Sequence, residues 1–388
     1  MKNSGYLGSR DYGWVFFWFL LAFGAVTISP ILGLSQSFDD TGYILDGWLD
    51  TPMNTIAGLT DWAQMINEVY GLTTLILIFV FFSVSVPLVI TIIKFRVKDE
   101  DLPNLKPPKQ VHGNAVLEFI WTVVPVILLL FIAVPTWKGI FSIPTKAPDN
   151  ALRVKVIGHQ WWWEFQYPDY GITTANELHL PENTPVFFEL TSADVIHSFW
   201  IPKFGGKVDV LPGEDAVNTM FFTSPALSDA ANADGEYYQG QCVELCGLSH
   251  ALMRFEAVLM SADSFEKWRK NFNAAPVVAS ELEKKGEALF AQCQVCHTVS
   301  GTPSEALEKT MLSLSPPTPK LGPNLTNFGN RRTLGAGTRK NTYENFAKWV
   351  RDPQSMKPGS TMTAFPGLSD SEIQALAAYL RYSTAKTI

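Results

Sequence analysis

Cys242-Val243-Glu244-Leu245-Cys246-Gly247-Leu248-Ser249-His250-Ala251-Leu252-Met253 sets two thiols, an imidazole and a thioether within one short stretch. A second imidazole, His197, lies upstream in Asp194-Val195-Ile196-His197-Ser198-Phe199-Trp200. Two Cys, two His and one Met form a soft donor set that suits copper. One thiolate with two imidazoles and a thioether describes a mononuclear copper site. The second thiolate, on the same tight loop, lets two sulfurs bridge a pair of copper ions, each capped by one His. An odd electron shared across such a pair changes bond lengths little as it comes and goes, which suits an electron relay. Two other readings stay open on spacing alone. Cys2His2 is a common structural zinc set, although zinc gives Met253 no role. A disulfide between Cys242 and Cys246 is the plainest alternative.

Around this stretch, the 388-residue chain is long enough for two or three domains. Beside a hydrophobic content of 47 %, its charged content of 17 % is low for a purely soluble protein. The net charge of −7 argues against a nucleic-acid partner. Residues 71–93 carry no charge and are long enough to cross a bilayer, as does a second span over residues 119–137. Lys94, Arg96, Lys98, Lys106 and Lys109 lie between them, so this loop reads as cytoplasmic and both flanks as external. Residues 1–35 read as a signal peptide or an extra transmembrane helix. The spans and their flanks make residues 36–149 a transmembrane hairpin. From about residue 150 the texture alternates as in strands, with Leu152-Arg153-Val154-Lys155-Val156-Ile157 and Val186-Phe187-Phe188-Glu189-Leu190. Turn signals punctuate these runs, and a β-sandwich or barrel is expected over residues 150–262.

The other two cysteines stand in Cys293-Gln294-Val295-Cys296-His297, a C-x-x-C-H haem-attachment pattern. The thiols would add to the haem vinyl groups, and His297 would become an axial iron ligand. All four cysteines are thus spoken for, which accounts for thiols in a domain that lies outside the cytoplasm. Helices are expected before the pattern, over Glu281–Phe290, and at the end, over Leu368–Leu380. Gly335-Ala336-Gly337 lacks a preceding strand and a third glycine, and reads as a surface loop rather than a dinucleotide turn.

The Cys242–Met253 stretch, the His197 stretch and His159-Gln160-Trp161-Trp162-Trp163 together resemble the CuA signature of cytochrome c oxidase subunit II. The resemblance covers about residues 55–260. It implies a cupredoxin-like β-barrel whose His197, Cys242, Cys246, His250 and Met253 bind copper by side chain and Glu244 by its backbone carbonyl. It also implies that the Glu244 carboxylate ligates a magnesium shared with subunit I, that Trp161 marks the electron-entry patch, and that Glu118 lies near the entrance of a proton path in subunit I. Residues 281–388 resemble an all-α class I cytochrome c domain, after a linker at 263–280. This second resemblance implies that Pro323 packs on the haem and that Met362, rather than Met356 or Met311, is the sixth ligand. A Met/His pair raises the haem potential. One departure is Glu214-Asp215 after Pro212-Gly213, where the family often has a basic residue.

The whole chain therefore resembles subunit II of a caa3-type oxidase in the bacterial inner membrane, with its copper and haem domains on the periplasmic face. It is expected to carry electrons from an outer donor through haem c and CuA to an oxygen-reducing, proton-pumping subunit I. The donor would be a cytochrome c or a quinol-oxidising complex, and the other partners are further oxidase subunits and membrane lipid. Alternatives are the electron-entry subunit of a nitric oxide reductase and a membrane-tethered copper carrier. Residues 150–279 hold 16 acidic and 8 basic side chains, whereas residues 280–388 hold 9 and 13. Opposite charge and a short tether are expected to bring the haem domain over Trp161.

Overall fold

The computed structural model describes residues 55, 58–97, 113–143, 146–213, 216–228, 231, 235–274, 276–313 and 321–382. Residues 1–35, Lys98, Lys106, Lys109, Glu214 and Asp215, which carry some of the expectations above, lie outside them.

Two long apolar helices lead the described chain, α1 (Asp61–Lys94) and α2 (Ala115–Ser142). Thr60 caps α1, and Asn114 caps α2 by accepting from the Val116 and Leu117 amides. Both helices contain the expected spans and extend beyond them. Leu, Ile, Val and Phe side chains are exposed all round them, so among the described residues neither helix is buried in a core of this chain. At the N-terminal end of α1, Leu59 N–H donates to Lys203 O at 2.8 Å and Thr60 Oγ1 donates to Phe204 O at 2.6 Å. These bonds join the helix pair to the next domain.

That domain has ten strands: β1 (Leu152–His159), β2 (Trp162–Tyr167), β3 (Ile172–Ala175), β4 (Glu177–Pro181), β5 (Pro185–Ser192), β6 (His197–Trp200), β7 (Val208–Val210), β8 (Asn218–Thr223), β9 (Glu236–Cys242) and β10 (Arg254–Met260). They form two five-stranded sheets, ordered β3-β2-β1-β5-β8 and β4-β10-β9-β6-β7. The β1–β5 and β10–β4 pairs are parallel and the rest antiparallel, a curled double sheet of the cupredoxin type. The alternating pattern of β1 and β5 turns Val154, Val156, Phe188 and Leu190 inward. Trp163, Phe165, Phe199 and Phe255 fill the centre, with Phe199 and Phe255 stacked at 4.8 Å.

The expected linker at 263–280 is in large part a helix. α3 (Ala262–Asn271) buries Phe265 and Trp268 against the copper-domain core, and Phe272 follows them. Spacing three and four apart puts these aromatics on one face, which is why the stretch folds onto the sheet instead of spanning a gap. The connecting segment begins after Phe272.

The last domain is helical: α4 (Glu281–Phe290), α5 (Pro303–Leu312), α6 (Tyr343–Arg351), the short α7 (Pro353–Met356) and α8 (Asp370–Tyr382). A capping box of Ser280 and Glu283 starts α4. α4 and α8 cross closely at Gly286, where a Cβ would lie 2.0 Å from Ala375 O. A two-stranded ribbon, β11 (Thr333–Leu334) and β12 (Arg339–Lys340), holds Gly335-Ala336-Gly337 at its tip. Contrary to the expectation of a surface loop, this tip is covered. Ala336 is 2 % exposed and packs with Trp162 and Ala175 of the copper domain.

Candidate copper centre and haem pocket

The loop between β9 and β10 is closed at its base by Cys242 N–H donating to Met253 O at 2.9 Å, so both ends of the motif meet. Cys242 Sγ lies 3.8 Å from Cys246 Sγ, far beyond the roughly 2.0 Å of a disulfide. Cys246 Sγ is 3.6 Å from His250 Nδ1 and 3.8 Å from Met253 Sδ. His197, the first residue of β6, brings Nδ1 to 3.9 Å from Cys242 Sγ. Glu244 contributes its carbonyl, which accepts from Cys242 Sγ at 3.2 Å, while its side chain is exposed. Ligand atoms of His197, Cys242 and Cys246 all fall within 4.8 Å of one another in a buried cluster. All six residues expected at this centre are therefore brought together.

The electrostatics suit a cation. A hydrogen bond with Cys246 first, and then His197, hold the Cys242 thiol well below its ordinary range; the neighbouring thiolate pushes Cys246 up. Two crowded thiols that resist double ionisation lose both protons when metal binds between them. Burial opposes charge on His197, yet the Asp194 hydrogen bond and the Cys242 thiolate outweigh it and raise this imidazole. Asp194 Oδ1 lies 2.8 Å from His197 Nε2, and its Oδ2 accepts from Gln160 N–H at 2.7 Å. Its carboxylate thus fixes the ring with Nδ1 towards the sulfurs. Asp194 stands three residues before His197, and that spacing is the signal in the sequence for this task.

Gln160 and Trp161 form the two-residue turn of the β1–β2 hairpin, where His159 pairs with Trp162. Trp163 points into the core and is 0 % exposed, whereas Trp161 is half-buried at the turn. Trp161 Nε1–H and Gln160 Nε2–H both donate to Cys246 O, at 3.0 and 2.7 Å.

In the helical domain, Cys293, Cys296, His297, Pro323 and Met362 line one cavity of about 230 Å³. His297 Nδ1–H donates to Pro323 O at 2.8 Å, which leaves Nε2 for a ligand bond. Pro323 thus acts through its carbonyl. Burial pushes the Cys293 thiol up to about 11. Met356 is packed in the helical core at 3 % exposure and does not line the cavity. Met362 does line it, with Trp349 Nε1–H donating to its sulfur at 3.0 Å. The donor chemistry fits a haem c. Gln160, Trp161 and Trp162 of the copper domain complete the wall of the same cavity. Glu118 is elsewhere, on the first turn of α2, where its Oε1 accepts from Asn114 N–H at 3.2 Å as a capping group.

Three family profiles match the chain: the transmembrane domain of cytochrome c oxidase subunit II over residues 56–138, its periplasmic domain over 171–259, and cytochrome c over 283–384. Cytochrome c oxidase subunit 2 of Alkalihalophilus pseudofirmus is 38 % identical over 329 residues, covering 82 % of this chain and 87 % of that protein. The chain belongs to the cytochrome c oxidase subunit II family. Subunit 2 of Bacillus sp. strain PS3 is 42 % identical over 71 % of this chain and 76 % of its own length. The solved periplasmic domain of subunit II from Bradyrhizobium japonicum is 30 % identical, covers 32 % of this chain and 95 % of that one, and has a TM-score of 0.29. As a subunit II with a fused cytochrome c domain, the protein serves an oxidoreductase complex together with subunit I, and its cofactors are CuA and haem c. It carries electrons towards oxygen reduction, which sets aside the nitric oxide reductase and copper-carrier readings.

Proposed function

We propose that CuA is held by the side chains of His197, Cys242, Cys246, His250 and Met253 with the Glu244 carbonyl, and haem c by Cys293, Cys296, His297 and Met362. When bound, the two groups supply one-electron chemistry at separate potentials. The protein's part is to hold Trp161 between them. One side of Trp161 faces the haem cavity and its indole N–H is bonded to the carbonyl of a copper ligand, Cys246. That shared wall is the observation that carries the reading: electrons pass from haem c by way of Trp161 to CuA and on to subunit I.

The external donor, a cytochrome c or a quinol-oxidising complex, would meet the haem at its open lip. Leu321 lines the cavity at 74 % exposure and Val295, between the two cysteines of the attachment pattern, is 63 % exposed, apolar groups suited to a transient protein contact. α1 and α2 would cross a bacterial inner membrane and meet its lipid, with Lys94 and Arg96 on the cytoplasmic side and both cofactor domains outside. The exposed Glu244 carboxylate is available to a magnesium shared with subunit I, and Glu118 would sit at the cytoplasmic mouth of that subunit's proton path; both assignments rest on the family resemblance. The test is Cys246→Ser in the purified complex. The near-infrared band of CuA should vanish, and the haem should still accept electrons but pass none to oxygen. Oxygen consumption at the wild-type rate would overturn the assignment.

A further inference from the structure

A buried lysine lies where the haem domain meets the copper domain, and burial lowers its amine to about 7. Lys357 is 4 % exposed, and its Nζ donates to Trp161 O at 2.5 Å, Leu252 O at 2.8 Å and Gly335 O at 2.9 Å. An ammonium has three N–H groups, and here each meets a carbonyl. Two of those carbonyls belong to the copper domain and one to the haem domain. The first is that of Trp161 itself, and the second precedes the copper ligand Met253 by one residue. Lys357 stands five residues before Met362 in the loop that forms the haem cavity. It therefore ties the methionine loop to the tryptophan turn.

The surroundings reinforce this tie without replacing it. Ser249 Oγ–H donates to Pro358 O at 2.5 Å, Arg254 N–H to Ala336 O at 3.1 Å and Arg332 N–H to Glu177 Oε1 at 3.0 Å. Gly359 lies on the Trp161 ring, where a Cβ would come within 2.8 Å of Cη2. Gly337, at φ +73°, presses on Arg254, where a Cβ would come within 2.8 Å of Cβ. The connecting segment is tacked to both sides by Asn273, whose Nδ2–H donates to Gly171 O at 3.0 Å and whose Oδ1 accepts from Ser300 Oγ–H at 3.2 Å.

We propose that Lys357 locks the haem domain onto the copper domain in the orientation that transfers electrons, making it a positioning residue for the haem-to-copper step. The step moves one electron, oxidising haem c and reducing CuA, with no bond made or broken. Its rate depends steeply on the gap between the two groups, so it scales with the fraction of molecules in the docked arrangement. An ammonium buried without acceptors is strongly disfavoured. The docked arrangement supplies all three, so Lys357 selects one register of the interface over its sliding alternatives. Charge attraction alone would hold the domains near each other in many registers.

This inference rests on the proposed electron path, and the experiment separates the two. In the full oxidase complex, haem c is photoreduced by an attached ruthenium sensitiser and the CuA near-infrared band is followed. Absence of any transfer in the wild type would refute the path itself. In Lys357→Met, which keeps the side chain's length and removes its donors, both cofactors should load with wild-type spectra and the donor should reduce haem c normally. Internal transfer should slow by about tenfold or more, as a docked fraction near one tenth implies, and should slow further as salt rises. Should Lys357→Met fail to load both cofactors, Gly337→Ala, a wedge against Arg254 two residues from the Gly335 carbonyl that Lys357 binds, is read by the same assay. Wild-type transfer without salt dependence in the variant that loads both cofactors would overturn the proposal.

Discussion

Glu256 lies on β10 at 2 % exposure, and neither carboxylate oxygen has a hydrogen-bond partner. Burial pushes it up to about 7, and Arg332, 3.7 Å away across the domain contact, opposes that shift only in part. Its folded pKa therefore exceeds the ordinary value of 4.5. Between these two limits the folded protein holds the proton more tightly than the unfolded chain, so stability falls as pH climbs from about 4.5 to about 7 and then levels off. Glu256→Gln removes this titration. The variant should match the wild type near pH 5 and exceed it near pH 8 by on the order of 1–3 kcal/mol, read as a higher thermal midpoint of the complex. A lower midpoint at pH 8 would mean that attraction to Arg332 outweighs the burial. At this same scale, Asp194 and Lys357 act on the site through other residues. One turns an imidazole, the other holds a backbone turn. Neither is a ligand, so neither is marked by ligand spacing.

Among the elements, the crossing of α4 and α8 bounds the haem domain on the side formed by its first and last helices. At Gly286 a Cβ would meet Ala375 O at 2.0 Å and Tyr379 Cβ at 2.8 Å, and Ala375 is 0 % exposed. Gly286→Ala should therefore force the helices apart at a cost of about 1–3 kcal/mol. Thermal unfolding followed at the haem Soret band should shift down, while the CuA band keeps its own transition. Both helices were legible in the chain because apolar residues recur at helical spacing behind Ser-x-x-Glu starts: Ser280 with Glu283, and Ser369 with Glu372. The β1–β2 hairpin was less so, because three consecutive tryptophans carry no alternation to mark where turn gives way to strand, and β2 begins only at Trp162. The helix α3 falls almost wholly within the expected linker at 263–280. Its Phe265 and Trp268 needed a sheet face to pack on before their spacing meant anything.

For the whole molecule, the charge imbalance between the two outer domains suggested a salt-sensitive attraction. The contact itself rests largely on buried groups: Lys357 among carbonyls, Glu256 beneath the exposed Arg332 side chain, and backbone bonds from Arg254 and Arg332. Buried charges are screened little by ions in solution. Internal haem-to-copper transfer in the wild type should accordingly hold constant from low ionic strength to about 0.5 M salt, beyond the point where surface charges are screened. A rate that falls steadily over that range would show that the attached domain docks only through its surface charge. The amino-acid order alone determined the three parts of this protein and their cofactor chemistry. Ligand types at loop spacing, the C-x-x-C-H pattern and the length of apolar runs are local properties that every fold of the chain would keep. Tertiary structure decided which tryptophans line the haem cavity, which carbonyls receive Lys357 and how Gly335-Ala336-Gly337 is used. Those depend on surfaces that meet only after two separately folded domains dock, and no spacing along the chain records the meeting.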